Sequence, residues 1–287
     1  MKWNKDKLFI IILILVPVVI ITISIIAALY VSKRSKSYHP VELSIVEPTI
    51  YCIMVTGKDS QRIQLARKSI DNFNTQDYPN KKLVIINHHI QETVLDNANY
   101  TQWEQNVFEV NVNKESNGLT LGDLRNMSLE LVGHDSYWMV WDDDDYRDPK
   151  LLSQMMKKAI DNNAICVAMT NRFEYNVNTN FVWKSAKKNG FPHVLAKFDR
   201  RVRYMSKNTM EDVNIIADYA KIGKTVMFDN THNLYIRIVH STNTSLYVDY
   251  NKADIVNYDR QKSPYIEAKA NSEEQNKVRK IISNYLL

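Results

Sequence analysis

Four carboxylate side chains, Asp142 to Asp145, follow directly after an apolar run at positions 137–141 that contains two tryptophans. Short apolar runs of this kind are typical of strands buried inside a sheet, which places the acids at the C-terminal end of a strand. Adjacent carboxylates repel one another and raise their own pKa values unless a cation lies among them. Carboxylate oxygens suit hard divalent ions. The pattern therefore favours a Mg²⁺ or Mn²⁺ site at a strand end over the alternative, a solvated acidic turn.

The segments that precede these acids alternate between strand and helix. Strands are predicted at 50–55, 82–86 and 107–112, and helices are predicted to begin near Ser60 and near Leu121. Strands joined by short turns and helices form right-handed parallel crossovers. This order predicts an α/β fold with a Rossmann-like, mainly parallel sheet and helices on both faces. Such sheets bind ligands at the carboxyl ends of their strands, where the four acids are expected.

Beyond residue 164 the pattern becomes richer in strands and aromatic residues. The remaining predicted elements are a helix near 210–222, strands near 225–228 and 234–239, and an amphipathic helix over 272–287. We therefore predict one globular domain over residues 49–260, followed by a C-terminal helical segment over residues 261–287.

The N-terminal part of the chain predicts a membrane anchor. Residues 8–31 contain no charged side chain and are long enough to cross the ~30 Å hydrocarbon core of a bilayer. This apolar run is longer than the core of a cleaved signal peptide. We expect a short tail over residues 1–7, a transmembrane signal-anchor over 8–31 and a stem over 32–48. Basic residues flank both ends of the span, and we expect the long C-terminal part to face a lumen or the exterior.

The overall charge gives no support to nucleic-acid binding. The formal net charge is +5, and residues around the predicted span carry much of it. The remainder of the sequence has no dense basic patch interleaved with aromatic residues. We therefore expect a membrane, and no nucleic acid, among the partners of the protein.

Five short motifs occur in an order that resembles family 2 glycosyltransferases with a GT-A fold. They are Thr56–Asp59, Gln76–Pro79, Leu121–Asn126, Trp141–Asp145 and Glu211–Asp212. The likeness covers roughly residues 49–240. Its most specific parts are the helix start with Gly122 and Arg125 and the acidic run that is followed by Asp148 and Pro149.

The resemblance implies a metal-dependent, inverting transfer of a sugar from a UDP- or GDP-sugar to a hydroxyl group of a glycan, protein or lipid. A divalent ion, Mn²⁺ or Mg²⁺, would neutralise the charge that develops on the diphosphate leaving group. Asp142 and Asp144 stand at the positions of the DXD motif. The resemblance makes Asp144 the main metal ligand, Asp142 shared between metal and donor, and His240 a late histidine that reaches the metal.

The donor-binding residues implied by the resemblance lie on several elements. Thr56 belongs to the first motif, Asp143 to the acidic run, and Arg125 would lie near the base and phosphates, with Gly122 allowing a close approach. After the second strand the family commonly has acidic residues, whereas this chain has Asn87-His88-His89. Asn87 can still hydrogen-bond a base, but the departure leaves the choice of base open.

The catalytic residues implied by the resemblance are Asp212 and Glu211. Asp212 would accept the proton of the attacking acceptor hydroxyl, and Glu211 would orient the site or the acceptor. Without the ordered motifs, a Glu-Asp pair at this position is also explained as acidic residues favoured at the start of a helix.

Other acidic motifs fit the sequence less well. The DDxxD motif of prenyl-diphosphate enzymes belongs on a helix and needs a second motif, and a calcium loop needs a glycine and a late glutamate at set spacing. The alternative that stays open is a membrane-anchored, non-catalytic GT-A-like module that binds a nucleotide sugar or a glycan. The presence of both the acidic run and Asp212 favours the enzyme.

Overall fold

The computed structural model describes residues 47–89, 91–95, 106–113, 118–230, 232–240, 243 and 266–286. Its strands are β1 (Ile50–Thr56), β2 (Lys81–Asn87), β3 (Val107–Asn111), β4 (Tyr137–Val140), β5 (Tyr146–Arg147), β6 (Cys166–Asn176), β7 (Phe181–Lys197), β8 (Thr225–Phe228), β9 (Tyr235–Val239) and β10 (Ile266–Lys269). Its helices are α1 (Ser60–Asn74), α2 (Leu121–Glu130), α3 (Leu151–Asp161), α4 (Ile215–Ile222) and α5 (Ser272–Leu286).

The predicted anchor at residues 8–31 lies outside the described residues. Within the part of the chain that is described, no helix combines the length and apolar character needed to cross a membrane.

The described strands form one ten-stranded sheet in the order β3-β2-β1-β4-β7-β6-β9-β5, with β8 paired to β6 and β10 paired to β7. The first four strands in this order are parallel, which confirms the predicted crossovers. β7 then pairs antiparallel with both β4 and β6. The α/β class is confirmed, but the sheet is mixed rather than mainly parallel. The reason is local, because β6 and β7 are joined by a short turn, and consecutive strands joined by a tight turn pair antiparallel.

β4, the strand that leads into the acids, is held on both faces of the sheet. Trp138 packs in the core on one face and donates its indole hydrogen to the hydroxyl of Tyr219, at 2.9 Å. Trp141, just after the strand, packs in the core on the other face and donates to the backbone carbonyl of Ser69, at 3.3 Å. Both tryptophans are fully buried with their single polar hydrogen satisfied. The start of the acidic run is therefore fixed in position.

Helix α1 packs one apolar side against the same core and brings its first turn to the acids. Ile63, Ile70 and Phe73 are buried, at the spacing of one helix face. The side chain of Asp59 caps the helix by accepting a hydrogen bond from the backbone N–H of Arg62, at 3.0 Å. Phe73 and Trp141 pack with their ring planes perpendicular, with ring centroids 5.6 Å apart.

The sequence predicted a helix that begins near Met210, but helix α4 begins at Ile215. Met210 has a φ of +59°, in the left-handed region, so the helix cannot run through this position. Residues 210–214 form a loop instead. This loop, and not a helix start, presents Glu211 and Asp212.

Gly122 allows the segment that leads to this loop to approach helix α2. A Cβ atom at position 122 would lie 1.8 Å from the backbone oxygen of Met205, and the N–H of Gly122 donates to the carbonyl of Lys207, at 3.0 Å. Met205 in turn donates its N–H to the carbonyl of Glu211, at 2.9 Å. The close backbone contact thus sets the distance between α2 and the Glu211–Asp212 pair.

The C-terminal segment is part of the same globular unit. β10 pairs antiparallel with β7, and Val278 and Ile282 of helix α5 are buried in a cluster with Ile236 of β9. Tyr285 packs edge-on against Tyr146, which directly follows the acidic run, with ring centroids 5.3 Å apart. The segment therefore supports the sheet close to the acids.

Candidate active site

The acidic turn, Asp142–Asp145, lies at the C-terminal end of β4, as the sequence predicted. Asp143, Asp144 and Asp145 are buried, and the side chain of Asp142 is 29% exposed. The two central carboxylates share Arg62 as a partner, whereas Asp142 and Asp145 contact other side chains. The turn is therefore not a solvated surface feature, and each carboxylate has its own chemical environment.

Arg62, in the first turn of α1, is the main partner of the two central acids. Its Nε atom donates to Asp143 Oδ2 at 3.0 Å, and its Nη2 atom contacts Asp143 Oδ1, so the pair is bidentate. Its Nη1 atom donates to Asp144 Oδ2 at 2.6 Å. The Asp143 and Asp144 charges, together with a hydrogen bond to Asp144, outweigh the effect of burial and raise the pKa of Arg62. Arg62 is thus a permanent cation between two buried acids.

Asp144 gathers its remaining partners from the end of β9. His240 Nε2 lies 3.1 Å from Asp144 Oδ2, and the side-chain amide of Asn243 donates to the same oxygen at 2.9 Å. Burial opposes ionisation of Asp144, but the hydrogen bond with His240 and the Arg62 charge hold its pKa below the ordinary value. The sequence prediction that Asp144 and His240 come together is consistent with this geometry.

Asp145 belongs to a buried network with Tyr235 and His193. The Tyr235 hydroxyl donates to Asp145 Oδ2 at 2.5 Å, and the N–H of Ile238 donates to Oδ1 at 2.9 Å. Tyr235 Oη is also 2.8 Å from His193 Nε2. With its hydrogen on Asp145, the tyrosine oxygen can accept from His193, and a ring hydrogen at Nε2 suits both this oxygen and Asp142 Oδ2, at 3.4 Å. Burial, and then the charges of the neighbouring acids, raises the pKa of Asp145 to about 7.

Asp142 and the Glu211–Asp212 pair meet at Arg125 of helix α2. Arg125 donates to Asp142 Oδ1 at 3.1 Å and to Glu211 Oε1 at 2.5 Å, and its Nη1 atom is 4.0 Å from Asp212 Oδ2. Burial opposes ionisation of Asp142, but its hydrogen bond with His193 and the charge of Arg125 hold its pKa well below the ordinary range. Burial raises the pKa of Glu211. One guanidinium therefore ties the acidic turn to the other predicted catalytic carboxylates.

A third arginine lies beneath the turn. Arg147 is fully buried, with its guanidinium 4.4 Å from the ring centroid of Trp141 and 5.4 Å from that of Tyr235. Its Nη1 atom donates to the backbone carbonyl of Asp142, at 3.1 Å. Its Nε and Nη2 atoms have no hydrogen-bond partner among the described residues. Its charge favours the ionised forms of Asp142 and Asp145.

Two sets of side chains in the site could hold a metal. Asp142, Asp145 and His193 offer ligand atoms within 4.8 Å of one another. However, both oxygens of Asp145 already accept hydrogen bonds, and the nearby Arg125 and Arg147 charges oppose a cation. Asp144 is in a similar position, since its Oδ2 atom accepts a hydrogen bond from Arg62, but it is an ionised carboxylate that also faces an imidazole and a side-chain amide. The described residues therefore offer two candidate metal positions, one at Asp142, Asp145 and His193 and one at Asp144 and His240.

The other residues predicted to bind a donor lie around the turn but make contacts within the protein. The Thr56 hydroxyl donates to Asp143 Oδ2 at 2.6 Å. Asn87 is fully buried at the end of β2, and its amide donates to Glu109 Oε1 at 2.7 Å and to the backbone carbonyl of Glu92 at 2.8 Å. In this structure Asn87 organises the loop after β2. Gly122 allows the backbone of Met205 to come close, because it has no Cβ atom.

Sequence reasoning missed Arg62, His193 and Arg147. Arg62 carries one available signal, since it lies in the first turn of a helix that follows a predicted strand, and that position faces the strand ends of an α/β sheet. His193 lies in a long strand with no motif around it, and its contact with Asp142 depends on the antiparallel pairing of β7 with β4. Arg147 follows the acids directly, but nothing in the sequence indicates that it is buried.

The comparisons with known proteins agree with this geometry. The sequence model of Glycosyl transferase family 2 matches residues 59–224, more than half of the chain. No curated protein matches. Among solved structures, S. aureus TarS (residues 1–349) in complex with UDP-GlcNAc has a TM-score of 0.54 at 14% sequence identity, over 70% of this chain and 62% of that chain.

A second similar structure is the mannosyltransferase PcManGT from Pyrobaculum calidifontis in complex with GDP-Man and Mn²⁺. Its TM-score is 0.50 at 13% identity, over 70% of this chain and 59% of that chain. The chain thus spans about 60% of the length of these structures. At such identities the likeness establishes the fold, and the predicted GT-A-like α/β fold is confirmed.

The buried network around Asp145 gives a prediction on stability. Tyr235→Phe removes the hydroxyl that donates to Asp145 and leaves a buried acceptor without its partner. We expect the free energy of unfolding to fall by about 1–3 kcal/mol. Tyr204→Phe is the matched control, because the Tyr204 hydroxyl is buried and has no hydrogen-bond partner among the described residues. That variant should be as stable as the wild type or more stable. Thermal and chemical unfolding measure both, and equal losses in the two variants would contradict the network.

Proposed function

Because this chain belongs to glycosyl transferase family 2, we propose that it is a metal-dependent, inverting enzyme that moves a sugar from a nucleotide sugar to an acceptor hydroxyl. The observation that carries this proposal is the bridge through Arg125. One buried guanidinium contacts both Asp142, at the proposed donor side, and Glu211, beside the proposed base. A site that only stored a nucleotide sugar would need no fixed link to a second pair of carboxylates.

The donor side of the proposal is built around the acidic turn. The similar structures of TarS and PcManGT contain UDP-GlcNAc and GDP-Man, which supports a nucleotide sugar as the donor of this enzyme. Asp142, 29% exposed, is the carboxylate of the turn that is most available to a ribose hydroxyl. Asp144 and His240 would hold Mn²⁺ or Mg²⁺, which supplies charge neutralisation for the departing diphosphate. Arg125 keeps its positive charge and can also face the phosphates.

The acceptor side of the proposal is built on the loop at 210–214. Asp212 has a side chain that is 28% exposed, so an acceptor hydroxyl can reach it. The acceptor oxygen attacks the anomeric carbon, its proton passes to Asp212, and the bond between that carbon and the diphosphate oxygen breaks. Attack from the face opposite the leaving group inverts the anomeric centre. Glu211, buried and bonded to Arg125, holds the loop in place. The acceptor is a hydroxyl of a glycan, a protein or a lipid.

The first functional prediction concerns the metal ligand. Asp144→Asn keeps the size of the side chain but removes its charge, so Mn²⁺-dependent binding of the donor should weaken by at least about 100-fold. Loss of a residue that only supports a ligand already costs about 10–100-fold, and loss of the ligand itself should cost more. Calorimetry with UDP-GlcNAc and GDP-mannose, each with and without Mn²⁺, measures the effect. The control is Asp161→Asn, an exposed carboxylate paired with Lys157. Donor binding like that of the wild type would remove Asp144 from the metal site.

The second functional prediction separates the base from the donor site. Asp212→Asn retains hydrogen bonding but cannot take up the acceptor proton, so transfer should fall by at least about 100-fold, within the range typical of a general base. Donor affinity should stay close to that of the wild type. Single-turnover transfer rates and donor calorimetry on the same protein separate the two quantities. A variant that loses donor affinity and transfer in proportion would make Asp212 a binding residue and place the base elsewhere.

We also propose that residues 8–31 anchor the enzyme in a membrane, with the catalytic domain on the lumenal or exterior side. The support is the uncharged apolar run in the sequence. We expect the full-length protein to stay in the membrane fraction under alkaline carbonate and to leave it only with detergent. Release by carbonate alone would contradict the anchor.

A further inference from the structure

The contact between Arg62 and Asp144 has a consequence for the proposed metal site. Arg62 Nη1 lies 2.6 Å from Asp144 Oδ2, the same oxygen that faces His240 Nε2 at 3.1 Å and the Asn243 amide at 2.9 Å. A divalent ion that takes the other oxygen, Oδ1, binds a carboxylate that Arg62 already contacts, and three neighbours fill the accepting directions of Oδ2. A metal that binds to this atom must displace one of them, and only Arg62 among the three carries a permanent charge.

Arg62 is held at this position by contacts other than the one with Asp144. Its Nε and Nη2 atoms donate hydrogen bonds to the two carboxylate oxygens of Asp143, which also accepts a hydrogen bond from the Thr56 hydroxyl at 2.6 Å. The N–H of Arg62 is bonded to the cap residue Asp59, and its carbonyl accepts a hydrogen bond from Thr56 at 3.3 Å. The side chain is only 12% exposed. The guanidinium therefore cannot move far when a metal arrives, and the two positive charges must remain close together.

We propose that Arg62 is an internal cation that competes with the metal for Asp144 and so determines its affinity. This inference rests on the proposed function, because it takes Asp144 as a metal ligand. Two cations a few ångströms apart in a buried site repel each other strongly. The diphosphate of a bound donor adds negative charge, which reduces this repulsion and allows the metal ion to bind beside Arg62. Arg62 therefore makes metal binding weak without a nucleotide and links it to nucleotide binding, as reciprocal coupling requires.

A purely structural role for Arg62 predicts the opposite sign. If the guanidinium only held Asp143 and Asp144 in place, its removal would disorder the metal ligands and weaken metal binding. If Arg62 competes with the metal, its removal tightens metal binding. Mn²⁺ alone, without nucleotide, is therefore the informative probe, and its affinity can be measured without reference to enzymatic activity.

The test uses two variants of the full-length protein. Arg62→Gln removes the competing charge but leaves Asp143 buried without its ion-pair partner, which can destabilise the fold. The double variant Arg62→Gln with Asp143→Asn removes both members of the pair and leaves no unpaired buried charge. Arg67→Gln is the control, because Arg67 lies on the same helix but donates only to the backbone carbonyls of Thr93 and Val94. Thermal unfolding verifies that each variant is folded.

We expect the dissociation constant of Mn²⁺, measured by the paramagnetic resonance of the free ion, to fall at least about tenfold in both Arg62 variants. It should be unchanged in Arg67→Gln. Addition of UDP should tighten Mn²⁺ binding strongly in the wild type and less in the Arg62 variants.

Three results would overturn the inference. Equal or weaker Mn²⁺ binding in both folded Arg62 variants, with a wild type that binds Mn²⁺, would show that Arg62 does not compete with the metal. If Mn²⁺ binding tightened equally in Arg67→Gln, the loss of any positive charge from helix α1 would explain the effect, and no specific competition by Arg62 would be needed. If the wild type and all variants bind no Mn²⁺, with or without UDP, the proposed metal site fails and this inference fails with it.

Discussion

Repulsion among the four carboxylates of the acidic turn is the constraint that the rest of the site must satisfy. Buried acids of like charge remain together only where positive charge and hydrogen-bond donors surround them. The protein supplies three guanidinium groups from three different elements: Arg62 from α1, Arg125 from α2 and Arg147 from β5. Each acts at a different place. Arg62 lies between the two central acids, Arg125 joins the turn to Glu211, and Arg147 lies underneath.

The fold delivers these partners because the acidic turn lies where the parallel and antiparallel parts of the sheet meet. β4 pairs with β1 on one side and with β7 on the other. The parallel side brings Thr56 and the capped start of α1 to the turn. The antiparallel side brings His193, and β9 brings Tyr235 and His240. A donor site that needs fixed charges and a defined hydrogen-bond network is thus built from the ends of several rigid strands, which is how catalytic groups are held in position.

The parts of this arrangement that depend on local pattern could be predicted from the sequence. The apolar run before Asp142 predicted the acids at a strand end, and the alternation of strands and helices predicted a helix that begins near Ser60. The contacts of Arg62 and His193 could not be predicted, because they join residues far apart in the chain through the pairing of strands. The loop at Glu211 was predicted as a helix start, since the left-handed backbone of Met210 follows from tertiary contacts and not from residue type. The family resemblance implied that Asn87 binds the donor, but its buried amide donates hydrogen bonds to Glu109 and to the backbone of Glu92.

The most direct test of the role of the acidic turn is a screen of nucleotide sugars against the full-length protein, with and without Mn²⁺. The screen measures thermal unfolding and the release of free sugar. We expect a UDP- or GDP-sugar to raise the unfolding temperature only when Mn²⁺ is present, and we expect the same compound to be slowly hydrolysed. We also expect Asp144→Asn to abolish both effects. Two results would contradict the proposal that the acidic turn is the metal and donor site of a glycosyltransferase. One is stabilisation and hydrolysis that do not depend on Mn²⁺ or on Asp144. The other is no response to any nucleotide sugar.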